Sequence, residues 1–364
     1  MRIAFISRAT LYTSPGGDTK QIDMTAQNLR LLGVTVDIFL STDRIDYTRY
    51  SLLHFFNIIR PADILPHIRR SRKPYVVSTI FVDYGDFEKQ VRGGLLGRLN
   101  TVFSEDGIEY IKAVARWIKN GERINSLRYL LRGHRRSVKE VAAGAQLLLP
   151  NSESEYRRFS EKYGAGINYR VVPNGISGEL AAQSFLPDAD YRDTIICAAR
   201  IEERKNQLHL IRALNGTNYQ LVIIGTASPN NAGYEALCRA EAKENVRFAG
   251  WMDEAALFRV YASARVHVLP SYFETTGLSS LEAAVMGCNI VVSPRGDTRD
   301  YFGDHAWYCE PESESSIRSA VDAAFDAPYD ASFRQYILTN YTWKRAAQET
   351  LTAYQSILGQ PQSD

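Results

Sequence analysis

The chain of 364 residues contains little that would point to metal, redox or nucleic-acid chemistry. Its four cysteines, Cys197, Cys238, Cys288 and Cys309, are scattered, with no CxxC pair and no histidine at ligand spacing. A zinc site, a redox dithiol and a disulfide framework are therefore unsupported, and the thiols read as small buried hydrophobes of a reducing compartment. No Asp-x-Asp or histidine cluster stands convincingly at a strand end, so neither a metal nor a cofactor is expected. Every apolar run stays well short of the roughly 20 residues that span a bilayer. The opening Met1-Arg-Ile-Ala-Phe-Ile-Ser is cut off by Arg8 and reads as a first strand, not a secretion signal. A soluble, cytoplasmic protein is the expectation. The formal net charge of +2 is too small to imply nucleic acid, and no stacking motif adds to it. The dinucleotide fingerprint GxGxxG is missing too, because the first glycine turn reads Ser14-Pro-Gly-Gly-Asp-Thr-Lys20. That leaves a Rossmann dehydrogenase poorly supported.

What is present is an alternation of short apolar runs with helix-like segments, the pattern of parallel sheets covered by helices. In the first half, 3–7, 34–40, 52–56, 75–79 and 146–150 read as strands. A helix over 18–32 repeats Ile22, Ala26, Leu29 and Leu32 at helical spacing, with Asp18 or Thr19 as its cap. A second series follows, with strands at 194–198, 220–225, 245–248, 266–270 and 289–293. Its helices are expected at 206–214, 234–243, 254–262 and 279–286. Val172-Pro-Asn-Gly175 supplies a turn and a hinge between the two series. The expected organisation is an α/β protein of two facing, doubly wound, Rossmann-like domains, 1–173 and 174–342. A last segment, 343–364, holds an amphipathic helix over 343–358 that crosses back to brace the first domain. Ligands of such sheets bind beyond the carboxyl ends of the strands.

Four constellations fall at those ends. In Ser271-Tyr-Phe-Glu-Thr-Thr-Gly-Leu-Ser-Ser-Leu-Glu282, Glu274 and Glu282 are separated by seven residues. A helix opening there offers unpaired backbone N–H groups to an anion. One carboxylate would stand just before the helix end and the other about two turns inside, at most roughly 12 Å apart along the axis. In Cys197-Ala-Ala-Arg200-Ile-Glu-Glu-Arg-Lys205, two cations follow a strand and precede a helix, an arrangement that suits a diphosphate. The alternative there is a solvated loop in which Glu202 and Glu203 pair with Arg204 and Lys205. Gly16 and Gly17 would let backbone approach a phosphate, or would simply form a turn. The strand 245–250 ends at Gly250, where exposed backbone could meet a base edge or lead into a plain cap.

Taken together, these segments resemble the retaining glycosyltransferases of family 4, which have the GT-B fold. The resemblance runs in order from about Gln146 to Pro311. It is carried by Val171-Val-Pro-Asn-Gly-Ile176, Ala199-Arg200 with Lys205, Val222-Ile-Ile-Gly225, Val246-Arg-Phe-Ala-Gly250, Val268-Leu-Pro-Ser271, the Glu274 to Glu282 run, and Gly287-Cys-Asn-Ile-Val-Val292. It implies that 1–173 binds the acceptor and 174–342 a nucleotide-diphospho-sugar donor, UDP- or GDP-linked. Catalysis would rest on Arg200, Lys205 and Glu274, with Glu274 on the sugar and the two cations on the leaving diphosphate. Gly16, Gly17, Thr275, Thr276, Gly277 and Leu278 would hold the diphosphate, Glu282 the ribose, and the Gly250, Trp251 and Met252 stretch the base. Many relatives carry a histidine after the fourth strand, where this chain reads Ser78-Thr-Ile-Phe-Val-Asp83. Phe81 and Asp83 are thus candidates for the sugar or acceptor pocket. His54 is another, although a histidine among aromatics is commonly a satisfied core residue. Asp300, in Gly296-Asp-Thr-Arg-Asp300, is placed to support the site from behind.

The implied reaction is metal-independent transfer of a hexose to a glycan or lipid-linked acceptor, as in bacterial cell-surface polysaccharide synthesis. Two alternatives keep the fold: a non-catalytic nucleotide-sugar-binding subunit, and a retaining phosphorylase or sugar-phosphate synthase. Residues 112–139 hold nine cations against one acid, Glu122, with apolar residues interleaved. Such a segment suits an anionic membrane surface, or a solvated helical face packed by its apolar side.

Overall fold

The structure is a computed structural model that describes residues 1–82, 127–178 and 185–359. Its first strand, β1 (Arg2–Ser7), is buried along almost its whole length. Successive side chains of a strand point to opposite faces. Ala4 and Ile6 pack on one face with Leu53, Phe55 and Val77 of neighbouring strands, while Ile3 and Phe5 are just as buried on the other. Such strands require helical cover on both sides.

The chain divides into two units at Asn174/Gly175 and again at Thr342/Trp343. The first unit adds β2 (Thr35–Leu40), β3 (Leu52–Phe56), β4 (Tyr75–Ser78) and β5 (Leu147–Leu149) to β1. All pair in parallel, in the order β2-β1-β3-β4-β5. Its helices are α1 (Gly17–Leu31), α2 (Pro61–Ser71), α3 (Leu127–Gly144) and α4 (Glu153–Tyr163). Proline at the first position of α2 and the Ser152 cap of α4 are the local start signals. At α1 the expected cap is displaced: Gly16 is the cap residue, and the Thr19 hydroxyl accepts its N–H at 3.0 Å. Thr19 thus closes the helix end from within the first turn.

The second unit has β6 (Ile195–Ala198), β7 (Leu221–Ile224), β8 (Val246–Gly250), β9 (Val266–Leu269), β10 (Asn289–Val292) and β11 (Trp307–Tyr308). They are all parallel, in the order β11-β10-β9-β6-β7-β8. The helices are α5 (Gln207–Leu214), α6 (Ala232–Glu241), α7 (Glu254–Tyr261), α8 (Leu278–Met286), α9 (Thr298–Phe302), α10 (Glu314–Asp326) and α11 (Ala331–Asn340). The last helix, α12 (Trp343–Leu358), returns to the first unit and packs on α1. Tyr354 Oη lies 2.6 Å from His54 Nδ1, and Glu349 pairs with Arg170 at 2.8 Å.

Both sheets are therefore doubly wound. The order reverses between β1 and β3 in the first unit and between β6 and β9 in the second. A crevice outside the strand ends opens at such switch points. Among the described residues, no helix is long and apolar enough to cross a membrane.

Candidate functional site

In the second unit the loops at the switch point are 199–206, after β6, and 270–277, after β9. Close backbone contacts fix their course. Gly225, at the end of β7, has φ +128°, and a Cβ there would stand 2.0 Å from the Ala199 carbonyl oxygen. Only glycine lets β7 end so close to the first loop. The Gly225 N–H in turn donates to Gly250 O at 2.7 Å, linking the ends of β7 and β8. The first loop then winds through a 3₁₀ turn, Glu203–Lys205, into Asn206 at φ 61°. Asn206 is buried, and its amide donates to Pro270 O at 3.1 Å and to Pro311 O at 2.7 Å. This turns the Lys205 side chain toward the second loop.

Glu274 is held there by its own backbone. Its N–H donates to Arg295 O at 3.2 Å and its carbonyl accepts from Asp297 N at 2.8 Å. Gly296, at φ +90°, passes so close that a Cβ would meet Glu274 O at 2.1 Å. The Glu274 carboxylate reaches Lys205: Nζ to Oε2 is 2.5 Å. The Ser271 hydroxyl donates to the same oxygen at 3.2 Å. Arg204 stands 4.0 Å from Oε1, donates to Phe273 O at 2.9 Å and pairs with Glu202 at 2.8 Å. Burial alone would raise the Glu274 carboxyl. The charges of Lys205 and Arg204, with hydrogen bonds from Lys205 and Ser271, outweigh it and hold the carboxyl below its usual range. Burial draws the Lys205 ammonium below its own usual range, against the pull of Glu274. Arg200, 3.7 Å from Glu202, keeps 60% of its side chain exposed.

The solvated-loop alternative therefore holds for Glu202 with Arg204 but fails for Lys205, which is drawn inward to Glu274. Three residues after Glu274 the chain enters α8, whose N-cap Gly277 has φ 72°. The amino end of a helix carries partial positive charge, so cations and helix end converge on one strand-end region. Glu282 is the fifth residue of α8, about 6 Å into the helix by its rise per residue. That is one turn inside, where the sequence suggested two, because residues 275–277 are not helical. The carboxylate is buried near Tyr261 of α7, whose hydroxyl is pushed well up by burial and then by the Glu282 charge.

The remaining candidates are dispersed. Thr275 and Leu278 are half-buried and Thr276 buried beside the α8 end. Beyond β8, Trp251 is 74% exposed, while Met252 packs against the core. In the first unit, Gly16 and Gly17 open α1 after a loop pinned by Arg8. That guanidinium bonds Asp18 at 2.6 and 3.0 Å, Thr10 O at 2.9 Å and Ser14 O at 2.8 Å. Gly16 has an ordinary extended φ of −151°, and a Cβ on Gly17 would meet nothing within 4 Å. The fold itself does not demand a glycine at position 17.

His54 and Phe81 are core residues, not pocket residues. His54 is 1% exposed, sits among Phe5 and Phe56, and has its second nitrogen 2.8 Å from Ser78 Oγ. Phe81 packs edge-on against Phe159 and Tyr163. Asp83 and residues 112–126 lie outside the described residues. Of the basic segment, Arg132, Arg135, Arg136 and Lys139 are exposed on α3, and Arg132 pairs with Glu140 at 3.0 Å. Behind Glu274 the supporting residue is Asp297 through its backbone N–H, whereas the Asp300 carbonyl accepts from Tyr341 at 2.7 Å. Sequence reasoning missed Arg204, Ser271 and Asn206. A lysine followed by asparagine at a helix start was a usable signal for Asn206, since asparagine tolerates positive φ. The contacts of Arg204 had no comparable local sign.

Comparison with known proteins bears on the same region. Residues 183–339 match the family model described as glycosyl transferases group 1. An uncharacterized glycosyltransferase of Methanocaldococcus jannaschii is 29% identical over 179 residues, a match spanning 45% of this chain and 45% of that protein. Among solved structures, sucrose-phosphate synthase from Thermosynechococcus elongatus superposes with a TM-score of 0.76 at 16% identity, over 99% of this chain and 100% of the other. HepE of Anabaena, solved in complex with UDP, gives 0.71 at 13% identity over 98% and 100%. The fold is thus that of these GT-B structures. The segment that matches the group 1 glycosyl transferase model contains Arg200, Lys205, Glu274 and Glu282, and the chain is similar to glycosyltransferases in sequence.

Proposed function

We propose that this protein is a retaining glycosyltransferase that moves a hexose from a nucleotide-diphospho-sugar to a glycan or lipid-linked acceptor. One observation carries the reading: Arg204 and Lys205 meet Glu274 at the switch point of the second unit, just ahead of the α8 end, with Arg200 exposed on the same loop beside Glu202. The likeness to a structure solved with UDP supports a nucleotide donor, and a UDP- or GDP-sugar is the co-substrate proposed.

In this reading the diphosphate lies against Lys205, Arg200 and the Thr275 to Leu278 stretch, while Glu274 takes the sugar hydroxyls. Glu282 takes the ribose. The Gly250 to Met252 stretch takes the base, with the exposed Trp251 ring as a stacking surface. Gly16 and Gly17 are proposed as further donor-binding residues. The bond between the anomeric carbon and the diphosphate oxygen breaks as the acceptor oxygen bonds the same carbon from the same face. The acceptor proton leaves with a phosphate oxygen. Lysine and arginine meet the charge building on the diphosphate, a preorganised electrostatic effect that removing one donor group typically cuts by about 10²–10³-fold in rate. The exposed cations of α3 fit a peripheral position on an anionic membrane at the inner face of the cell, where lipid-linked acceptors of surface polysaccharide synthesis would be met.

The test begins with thermal shift against UDP-, GDP- and ADP-sugars, because a ligand that binds only the native state raises its melting temperature. With the donor found, Lys205→Ala and Glu274→Ala are each expected to lower transfer by more than about 100-fold. Near-normal turnover in either folded variant would overturn the assignment.

A further inference from the structure

Resting on the glycosyl-transfer reading, we propose that Glu274 is the internal counter-ion of Lys205 and that the donor diphosphate displaces it. Filling the anion site would then release the Glu274 carboxylate to the sugar. One contact couples the two halves of donor recognition.

The Lys205 ammonium and the Glu274 carboxylate are bonded at 2.5 Å, with only 12% and 10% of their side chains exposed. Ser271 donates to the bonded oxygen Oε2, and Arg204 lies 4.0 Å from Oε1. A phosphate oxygen approaching the same ammonium would come within a few ångströms of that carboxylate. Two anions at that spacing in a screened interior repel strongly, so one must turn away. The backbone cannot give: Glu274 is pinned by Arg295 O, Asp297 N and the close pass of Gly296. Arg204 ties the preceding carbonyl of Phe273 to the first loop. What remains free is the Glu274 side chain, whose torsions can carry the carboxylate off Lys205 with the loop unmoved. Displacement is thus a rotamer change, and bonded Glu274 is a competitor for any anion at Lys205.

The competition has a sign that a simple supporting role would not share. Glu274→Gln keeps the shape and the hydrogen-bonding reach but removes the competing charge. Titration calorimetry with UDP and GDP is expected to show the nucleoside diphosphate bound by the native protein held about tenfold more tightly by Glu274→Gln. Uridine or guanosine alone should bind the two proteins equally. Ser271→Ala, which loosens the carboxylate without altering charge, should tighten the same diphosphate about two- to threefold. That variant decides the matter if Glu274→Gln does not fold. Unchanged or weaker diphosphate binding by the folded variants, with native binding intact, would overturn the exchange while leaving the donor reading in place. A native protein that binds none of UDP, GDP or ADP would overturn the donor reading as well.

Discussion

Residue identity at this site is dictated more by crowding than by chemistry. Gly296 is the clearest case, since an alanine there would need both a positive φ and a Cβ 2.1 Å from the Glu274 carbonyl. Gly296→Ala is expected to cost about 2 kcal/mol or more, read as a lowered urea midpoint with an unchanged slope. Because the strained contact is to Glu274, nucleoside diphosphate binding should change in the same variant. The Lys205 and Glu274 pair carries a second expectation. Removing either partner leaves the other charge buried, which costs about 3–5 kcal/mol, whereas removing both leaves none. Lys205→Met and Glu274→Met should each destabilise strongly, and the double variant by clearly less than their sum. Additive losses in denaturant titrations would mean the two side chains act independently. This pairing was not legible beforehand. In Glu202-Glu203-Arg204-Lys205 each cation has an acid within two residues, and only the tertiary course of the second loop decides that Lys205 leaves them for Glu274.

At the scale of elements, the sequence showed most where an apolar pattern runs the whole length of an element. β3 falls at Leu52–Phe56 and α12 at Trp343–Leu358, as their apolar patterns require. The other expected strands shift by a residue or two at their ends. β8 ends at Gly250, where the sequence also ended that strand, but its pairing with β7 slips between Ile223 and Ile224, an irregularity that alternation cannot reveal. The two-residue β11 was invisible, since Trp307–Tyr308 is too short for a period. The start of α1 shows the limit of capping rules: Gly16 has no side chain to cap with, and Thr19 closes the end instead. That helix start yields a prediction about the glycines. A methyl on Gly17 meets nothing within 4 Å, and alanine is a better helix former than glycine by about 1 kcal/mol in a helix interior. Gly17→Ala should therefore fold at least as stably as the native chain. If Gly17 approaches the donor phosphates, the same variant should weaken donor binding severalfold in calorimetry. Unaltered binding would remove Gly17 from the site.

At the scale of the whole molecule, each unit hides a histidine that must stay neutral. His54 in the first unit and His267 in the second are both fully buried. Burial brings each from 6.5 to about 3, and the Lys205 charge adds to it at His267. The sign follows from proton counting. Between pH 6.5 and about 3 the unfolded chain binds protons at these positions and the folded chain does not, so acid favours unfolding. Stability is full above pH 6.5 and falls with pH through that window, by about 1.4 kcal/mol per pH unit for each histidine. The two groups belong to separate units, so the effects should separate as well. His54 bonds Tyr354 and Ser78, which ties the acid sensitivity of the first unit to the docking of α12. His267 has Ser280 of α8 3.2 Å from its Nδ1, which ties that of the second unit to the helix that starts three residues after Glu274. Calorimetric melts from pH 7 to pH 4 should thus show both units losing stability. His54→Gln should flatten the pH slope of the first unit only, and His267→Gln that of the second only. A slope unchanged by either substitution would mean that other groups, not these buried imidazoles, set the acid limit. A single slope altered equally by both would mean instead that the units melt as one.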